Sequence, residues 1–159
     1  MQVLKNMNRQ EIKNEILSLI GETGREGAAR TIDYLLGSNF FSARCHSHHR
    51  WVGGLAQHSL EACRWGLAHA GDLPRESVIL GTLLHDVCTS WSSATRGIGG
   101  HGRRSVAILG SICRLSLTPK EREAILLHMH GTDPRMGTNP LARLVWKADK
   151  ESAARRVTL

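Results

Sequence analysis

The side chains best able to do chemistry in this chain are its histidines: nine of them, against seven aromatic residues of all kinds. Histidine is the commonest metal ligand and titrates near neutrality, so where these nine sit becomes the question. The first marked position is the doublet His85-Asp86, which ends the most apolar run of the chain, Val78-Ile-Leu-Gly-Thr-Leu-Leu84. Two ionisable groups there are costly unless they are hydrogen-bonded, paired or bound to a metal. Read alone, the doublet fits a hydrogen-bonded histidine followed by a capping aspartate as well as it fits a ligand pair. His58, among apolar neighbours, fits a satisfied core histidine equally well. Asp149 shares a helical face with Ala142, Val145, Trp146 and Ala153. Taken together, three separate segments each carry a metal-type ligand on a face that otherwise looks inward.

Those segments read as helices. Ile12, Ile16, Leu19 and Ile20 fall on one face of a 3.6-residue period and are followed by Gly21 and Gly24; Ile32, Leu35 and Leu36 predict a second helix ending near Gly37. Residues 38–54 are irregular and hold His46, His48 and His49. A long helix from Leu55 to about Ala70 is predicted to be buried on most sides, because Ala56, Leu60, Cys63, Leu67 and Ala70 make one stripe and Leu55, Ala62 and Trp65 another. Val78 to Val87 is expected to be a core helix, since nothing else in the chain alternates with period two and a strand would lack partners. Thr89 to Gly100 is a loop of functional length, expected to act as a lid. A helix from His101 to about Leu115 follows. Thr118-Pro119-Lys120-Glu121 is a capping box with proline at the first helical position, opening a helix to about Met129. Asn139-Pro140 opens the last one, with Leu141, Leu144, Val145 and Ala148 on its core face. The expectation is an all-α bundle of six or seven helices.

Size and composition agree with one folded domain. At 159 residues the chain is close to the ~150 expected of a single domain, with 41% hydrophobic and 22% charged residues. No run approaches the ~20 apolar residues of a membrane span, and charges interrupt every apolar stretch near the start, so a cytoplasmic protein is expected. Cys45, Cys63, Cys88 and Cys113 form no Cys-x-x-Cys pair and read as free thiols. A formal charge of +7 favours anionic partners: phosphate esters, nucleotides or nucleic acid.

In order, the chain reads Gly53-Gly54-Leu55-x-x-His58, Leu84-His85-Asp86, Gly100-His101-Gly102, Leu127-His128-Met129 and Ala148-Asp149. This succession resembles the HD-domain superfamily of metal-dependent phosphohydrolases. The stretch His48-His49-Arg50-Trp51-Val52-Gly53-Gly54-Leu55-Ala56-Gln57-His58-Ser59-Leu60 is similar to the subgroup that includes 3'-to-5' exoribonucleases and small phage and bacterial HD proteins. The likeness runs from about Phe40 to Ala153, giving a single HD domain over 1–159, with N-terminal helices in 1–37 and a motif-bearing core in 40–153. It implies that His58, His85, Asp86 and Asp149 ligate a first divalent metal, that Asp86 bridges to a second, and that His101 and His128 complete the second site. Asp86 and His85 would be the catalytic pair. Nitrogen and oxygen donors of this kind suit Mn, Fe, Co, Ni or Zn, in one or two ions. Of His128 and His130, two apart and so about 200° apart on a helix, only one can face the site, and His128 is expected to be it.

The activity implied is hydrolysis of a small phosphoester, most simply a nucleotide, by a metal-activated water. Arg103, Arg104, Lys147, His48 and His49 are the candidates for holding its phosphate. Two other readings share the ligand set: a catalytically weak HD module that binds nucleotide or nucleic acid, and a di-iron oxygenase on the same fold. Departures from the family pattern bear on the choice. Many relatives follow the doublet with a Gly-Lys pair whose lysine contacts substrate, whereas here Val87 is followed by Cys88-Thr89. The segment 131–138 lacks the Gly-Tyr-Pro triplet of the cyclic-di-GMP phosphodiesterases. The chain ends ten residues past Asp149, which sets the expectation of a homo-oligomer covering part of the core.

Overall fold

The computed structural model describes residues 7–90 and 97–154. Its elements are α1 (Arg9–Glu22), α2 (Ala28–Gly37), α3 (Gly54–Ala68), α4 (Arg75–Leu84), α5 (His101–Ala107), α6 (Pro119–Leu126) and α7 (Pro140–Ala154). Short 3-10 turns cover Val87–Thr89 and Pro134–Thr138, and a π-helical turn, Ile108–Ile112, continues α5. Among the described residues there is no strand, so the bundle is all-α with seven helices. None of these helices is long and apolar enough to cross a membrane.

Helix α4 is the axis. Every residue from Ser77 to Leu84 is buried, as its unbroken apolar sequence requires. α3 packs along both α4 and α7, and its two stripes bury Gly54 through Cys63 without a break. α1 and α2 join the same core through Ile12, Ile16, Ile20 and Leu35, which pack with Leu55, Leu60, Leu80 and Leu84. A second cluster, Val78, Leu127, Leu141, Leu144 and Val145, joins α4, α6 and α7. All four cysteines are free and buried.

Several boundaries differ from the sequence expectation, and three of them matter. The helix expected to reach Val87 ends at Leu84, so His85 and Asp86 form the turn that leaves it. The helix expected from His101 to Leu115 is α-helical only to Ala107, then widens into the π turn; Arg114 at φ 49° ends the segment in the left-handed region. The helix expected to reach Met129 stops at Leu126, which places His128 and His130 beyond it. The segment expected to act as a lid lies, over 91–96, outside the described residues.

Two capping boxes fix helix starts: Asn8 with Glu11 on α1, and Thr118 with Glu121 on α6. Glu121 does more than cap. Its carboxylate accepts two hydrogen bonds from Arg25, at 2.6 and 2.8 Å, one from the Ser77 hydroxyl at 2.7 Å, and one from the Thr118 amide at 2.8 Å. One buried side chain thus ties the α1–α2 turn, α4 and α6. Burial alone would raise its pKa, but Arg25, Ser77 and the Thr118 amide outweigh it and hold the carboxyl below the usual glutamate range. Glu121→Ala is expected to cost about 3 kcal/mol, because it leaves the part-buried Arg25 guanidinium with only the Ser116 carbonyl as acceptor and takes the partner from the buried Ser77 hydroxyl. In a chain of this size that is a fall in Tm of roughly 6–12 °C. A group with a depressed folded pKa contributes stability that is full above its unfolded value, ~4.3, and lost as pH falls through the folded one. Thermal melts at pH 7 and pH 3 will therefore separate variant from wild type widely at the first and narrowly at the second.

Candidate metal centre

Three segments meet at one end of α4. His58 comes from α3, His85 and Asp86 from the turn after α4, Asp149 from α7, and all four are buried. His58 Nε2 lies 3.1 Å from His85 Nε2, 3.1 Å from Asp149 Oδ1 and 3.5 Å from Asp86 Oδ2. His85 Nε2 lies 3.3 Å from Asp86 Oδ2 and 3.5 Å from Asp149 Oδ1. Donors about 2.1 Å from a common ion are roughly 3.0 Å apart in an octahedron and 3.4 Å apart in a tetrahedron. The four atoms have the spacing of one coordination shell.

A second set shares a member with the first. Asp86 Oδ1 lies 3.1 Å from His128 Nε2 and 3.7 Å from His101 Nδ1. The two oxygens of Asp86 therefore face different groups, Oδ2 toward His58 and His85, Oδ1 toward His128 and His101.

The hydrogen bonds behind the rings decide which nitrogen faces the centre. His85 Nδ1–H donates to the Thr82 carbonyl at 2.6 Å, and His128 Nδ1–H to the Ile125 carbonyl at 2.7 Å. His58 Nδ1–H donates to the Ser152 hydroxyl at 2.9 Å, and that hydroxyl donates in turn to Glu61 Oε2 at 2.8 Å. All three rings are thus held with an Nε2 lone pair inward. Two such lone pairs 3.1 Å apart repel unless a proton or a cation lies between them, so the donor set fits a divalent metal. Without one, protons take that place. Burial opposes a charge on His58 and His85, yet Asp86 and Asp149 outweigh it, holding His58 above and His85 well above the ordinary histidine range. Burial likewise works to raise both carboxyls, and the imidazoles reverse it, holding Asp86 and Asp149 far below the usual aspartate range. His101, less buried, is raised chiefly by Asp86.

The pocket over this cluster has a volume of about 170 Å³ and is lined by Asp86, His101 and Asp149 with His46, His48, Thr89 and Lys150. That is below the several hundred Å³ of a site enclosing a whole drug-sized ligand, and suits a phosphoryl group with the rest of its molecule outside. A larger groove of about 900 Å³ lies across α3 and α7 between Trp65 and Trp146 and contains none of the clustered ligands.

The residues considered for phosphate divide accordingly. His48 is in the pocket wall; burial first, then repulsion from His58 and His49, pushes it down to about 4. His49 is buried behind it, bonded to Glu61. Arg104, half-buried one turn after His101, keeps a buried Nε without a partner. Arg103 faces a different groove, with Val106 and Arg122, and Lys147 faces the Trp65 groove; neither lines the pocket. The cation that does is Lys150, with Nζ 3.6 Å from Asp149 Oδ2. Sequence reasoning missed it because it follows the ligand directly and reads as a solvated helix position. It also missed Glu61, Gln57 and Ser152, whose polar side chains sit inside apolar stripes.

His128 is buried and His130 exposed, as expected, although neither lies on α6. The turn after Leu126 makes the selection, with His130 N donating to the Leu127 carbonyl. His128→Ala is expected to reduce metal stoichiometry by one ion, measured by elemental analysis of the purified protein, while His130→Ala leaves it unchanged.

In comparison with known proteins, the family model described as HD domain matches residues 55–154, well over half of the chain and all six clustered ligands. No curated protein and no solved structure matches it.

Proposed function

The chain belongs to the HD-domain family of metal-dependent phosphohydrolases, and from that premise we propose that it hydrolyses a small phosphoester, most simply that of a nucleotide. The observation that carries the reading is Asp86, with one carboxylate oxygen in each of two donor sets. Divalent ions held by these residues would bring the pKa of a bound water toward ~7. The protein's own groups do the rest. His58, His85 and His128 are oriented in advance by the acceptors behind their Nδ1 atoms, so these three rings need not reorganise. Asp86 and Asp149 stay ionised across the physiological range.

The substrate's remaining negative charge needs cations outside the ligand set. The lysine that many relatives carry after the doublet is replaced here by Cys88-Thr89, both committed locally: the Cys88 amide donates to Ser105, and the Thr89 hydroxyl to the Asp86 carbonyl. Lys150 supplies a cation to the same pocket from α7, and Arg104 stands one helical turn from His101. The small pocket and the +7 charge favour an anionic ester whose non-phosphate part stays outside.

The test is metal analysis coupled to a screen of nucleoside mono- and diesters with Mn²⁺, Zn²⁺ or Fe²⁺. Release of phosphate or nucleoside monophosphate that stops on chelation and returns with metal is the expected result. Bound metal with no release from any ester, and nucleotide binding retained, would instead make the protein a binding module.

A further inference from the structure

We infer that Glu61 is a positioning residue that holds two imidazoles of the pocket through separate hydrogen-bond arms: His58 through Ser152, and His48 through His49. The inference rests on the metal-centre reading above and adds residues outside the ligand set.

Glu61 lies on α3, only 3% exposed. A buried carboxylate is expensive unless several donors satisfy it. This one has three: His49 Nε2 and the Ser152 hydroxyl, each 2.8 Å from Oε2, and Gln57 Nε2, 3.1 Å from Oε1. Gln57 is itself held by the Trp51 indole N–H, at 3.0 Å from its Oε1. Packing alone calls for none of this, since the surrounding stripe of α3 is apolar.

In the first arm, Ser152 has one proton and commits it to Glu61, so its oxygen can only accept from His58 Nδ1–H. That fixes the ring with Nε2 toward Asp86, Asp149 and His85. With the carboxylate removed, the hydroxyl proton keeps only the more distant His58 carbonyl, at 3.3 Å, as a backbone acceptor, and the hydroxyl can turn to donate to Nδ1, which would put the wrong lone pair inward. Partners of this kind behind a ligand histidine are worth ~10–100-fold in metal affinity.

In the second arm, His49 Nδ1 lies 2.9 Å from His48 Nδ1. His48 is left with Nε2 as its one unengaged nitrogen, in the pocket wall, its ring centroid 4.5 Å from that of His58. The turn that makes this contact is a constrained one. His49 has φ 44°, in the left-handed region that histidine rarely adopts. Its carbonyl lies 1.9 Å from where a Cβ on Gly54 would stand, so only glycine allows the loop to close onto α3.

The experiment titrates metal-free protein with Mn²⁺, then the Mn²⁺-loaded protein with inorganic phosphate. Glu61→Gln and Ser152→Ala are each expected to weaken Mn²⁺ binding ~10–100-fold, and the double variant to be no worse than the weaker-binding single one, because both act along one path. His49→Asn, chosen because Asn tolerates the left-handed backbone, is expected to weaken phosphate binding about tenfold. Ser152→Ala keeps the first arm testable should Glu61→Gln fail to fold, and His48→Gln does the same for the second. If both Glu61→Gln and Ser152→Ala bind Mn²⁺ like wild type while melting lower, Glu61 is only structural. If His49→Asn and His48→Gln leave phosphate binding unchanged, the second arm is wrong. Failure of the wild type itself to bind Mn²⁺ would overturn the metal centre, a result distinct from either.

Discussion

Asp86→Ala is expected to empty both metal positions and to bring phosphoester hydrolysis down to the uncatalysed background. The argument is geometric and electrostatic. Asp86 Oδ2 is 3.3 Å from His85 Nε2 and 3.5 Å from His58 Nε2, while Oδ1 is 3.1 Å from His128 Nε2. Removing it leaves the second set with two neutral imidazoles and no carboxylate, and the first with Asp149 as its single anion. Neither retains the charge that offsets the dehydration of a divalent ion, and an unbound water keeps a pKa near 15.7 rather than ~7. Elemental analysis reads the metal directly, and thermal melts give an independent measure. At a metal concentration 100 times Kd, binding stabilises the wild type by about 2.7 kcal/mol, a rise of roughly 5–11 °C for a chain of this size, and the variant should show none. Asp86→Ala protein that kept two ions at wild-type affinity would falsify the bridging role. His85→Ala tests the first set separately and should retain binding at His101 and His128.

How much of this was legible in the sequence depends on where each residue's signal came from. His58, His85 and Asp149 announced themselves as ionisable groups in apolar surroundings, where burial makes an unpartnered charge expensive. His101 and His128 did not; only their order among the family motifs pointed to them, because each lies at a helix end where a polar residue is ordinary. The helix starts at Thr118 and Asn139 were readable because capping is local chemistry. The end of α2 at Gly37 was readable too, but two other helix ends were not. α4 stops at Leu84, and α6 at Leu126, where tertiary packing turns the chain, and no local stop residue marks either place. The phosphate candidates show the same limit: Arg103 and Lys147 stand two residues from His101 and Asp149 yet face other grooves, while Lys150, next to Asp149, lines the pocket, and only helix rotation tells them apart. Glu61 and Ser152 are 91 positions apart, and nothing local could have joined them.

Gly102→Ala is expected to abolish the second metal position while sparing the first. Gly102 is buried in the first turn of α5, directly after His101, and a Cβ built on it would lie 2.2 Å from the Leu126 carbonyl oxygen, 2.7 Å from its carbon and 2.8 Å from its Cα. These are backbone atoms at the end of α6 and cannot swing aside. The two helices must separate by roughly 1 Å before that contact becomes ordinary. His101 opens α5 and His128 follows the end of α6, and both reach Asp86 Oδ1, His101 already at 3.7 Å. α5 cannot simply tilt away as a unit, because the Ser105 hydroxyl donates to the His85 carbonyl at 2.7 Å and accepts from the Cys88 amide at 3.1 Å. The strain therefore falls on the start of α5, where His101 is. Overpacking of this kind costs about 1–3 kcal/mol, a fall in Tm of roughly 2–12 °C, so the variant should fold. Metal stoichiometry is expected to drop by one ion, with hydrolysis reduced because the second ion would no longer help to activate the attacking water. Gly99→Ala is the control: a Cβ there meets nothing within 4 Å and should leave both ions in place. A Gly102→Ala protein that binds two ions as tightly as the wild type would show that His101 reaches the centre without the close contact between α5 and α6.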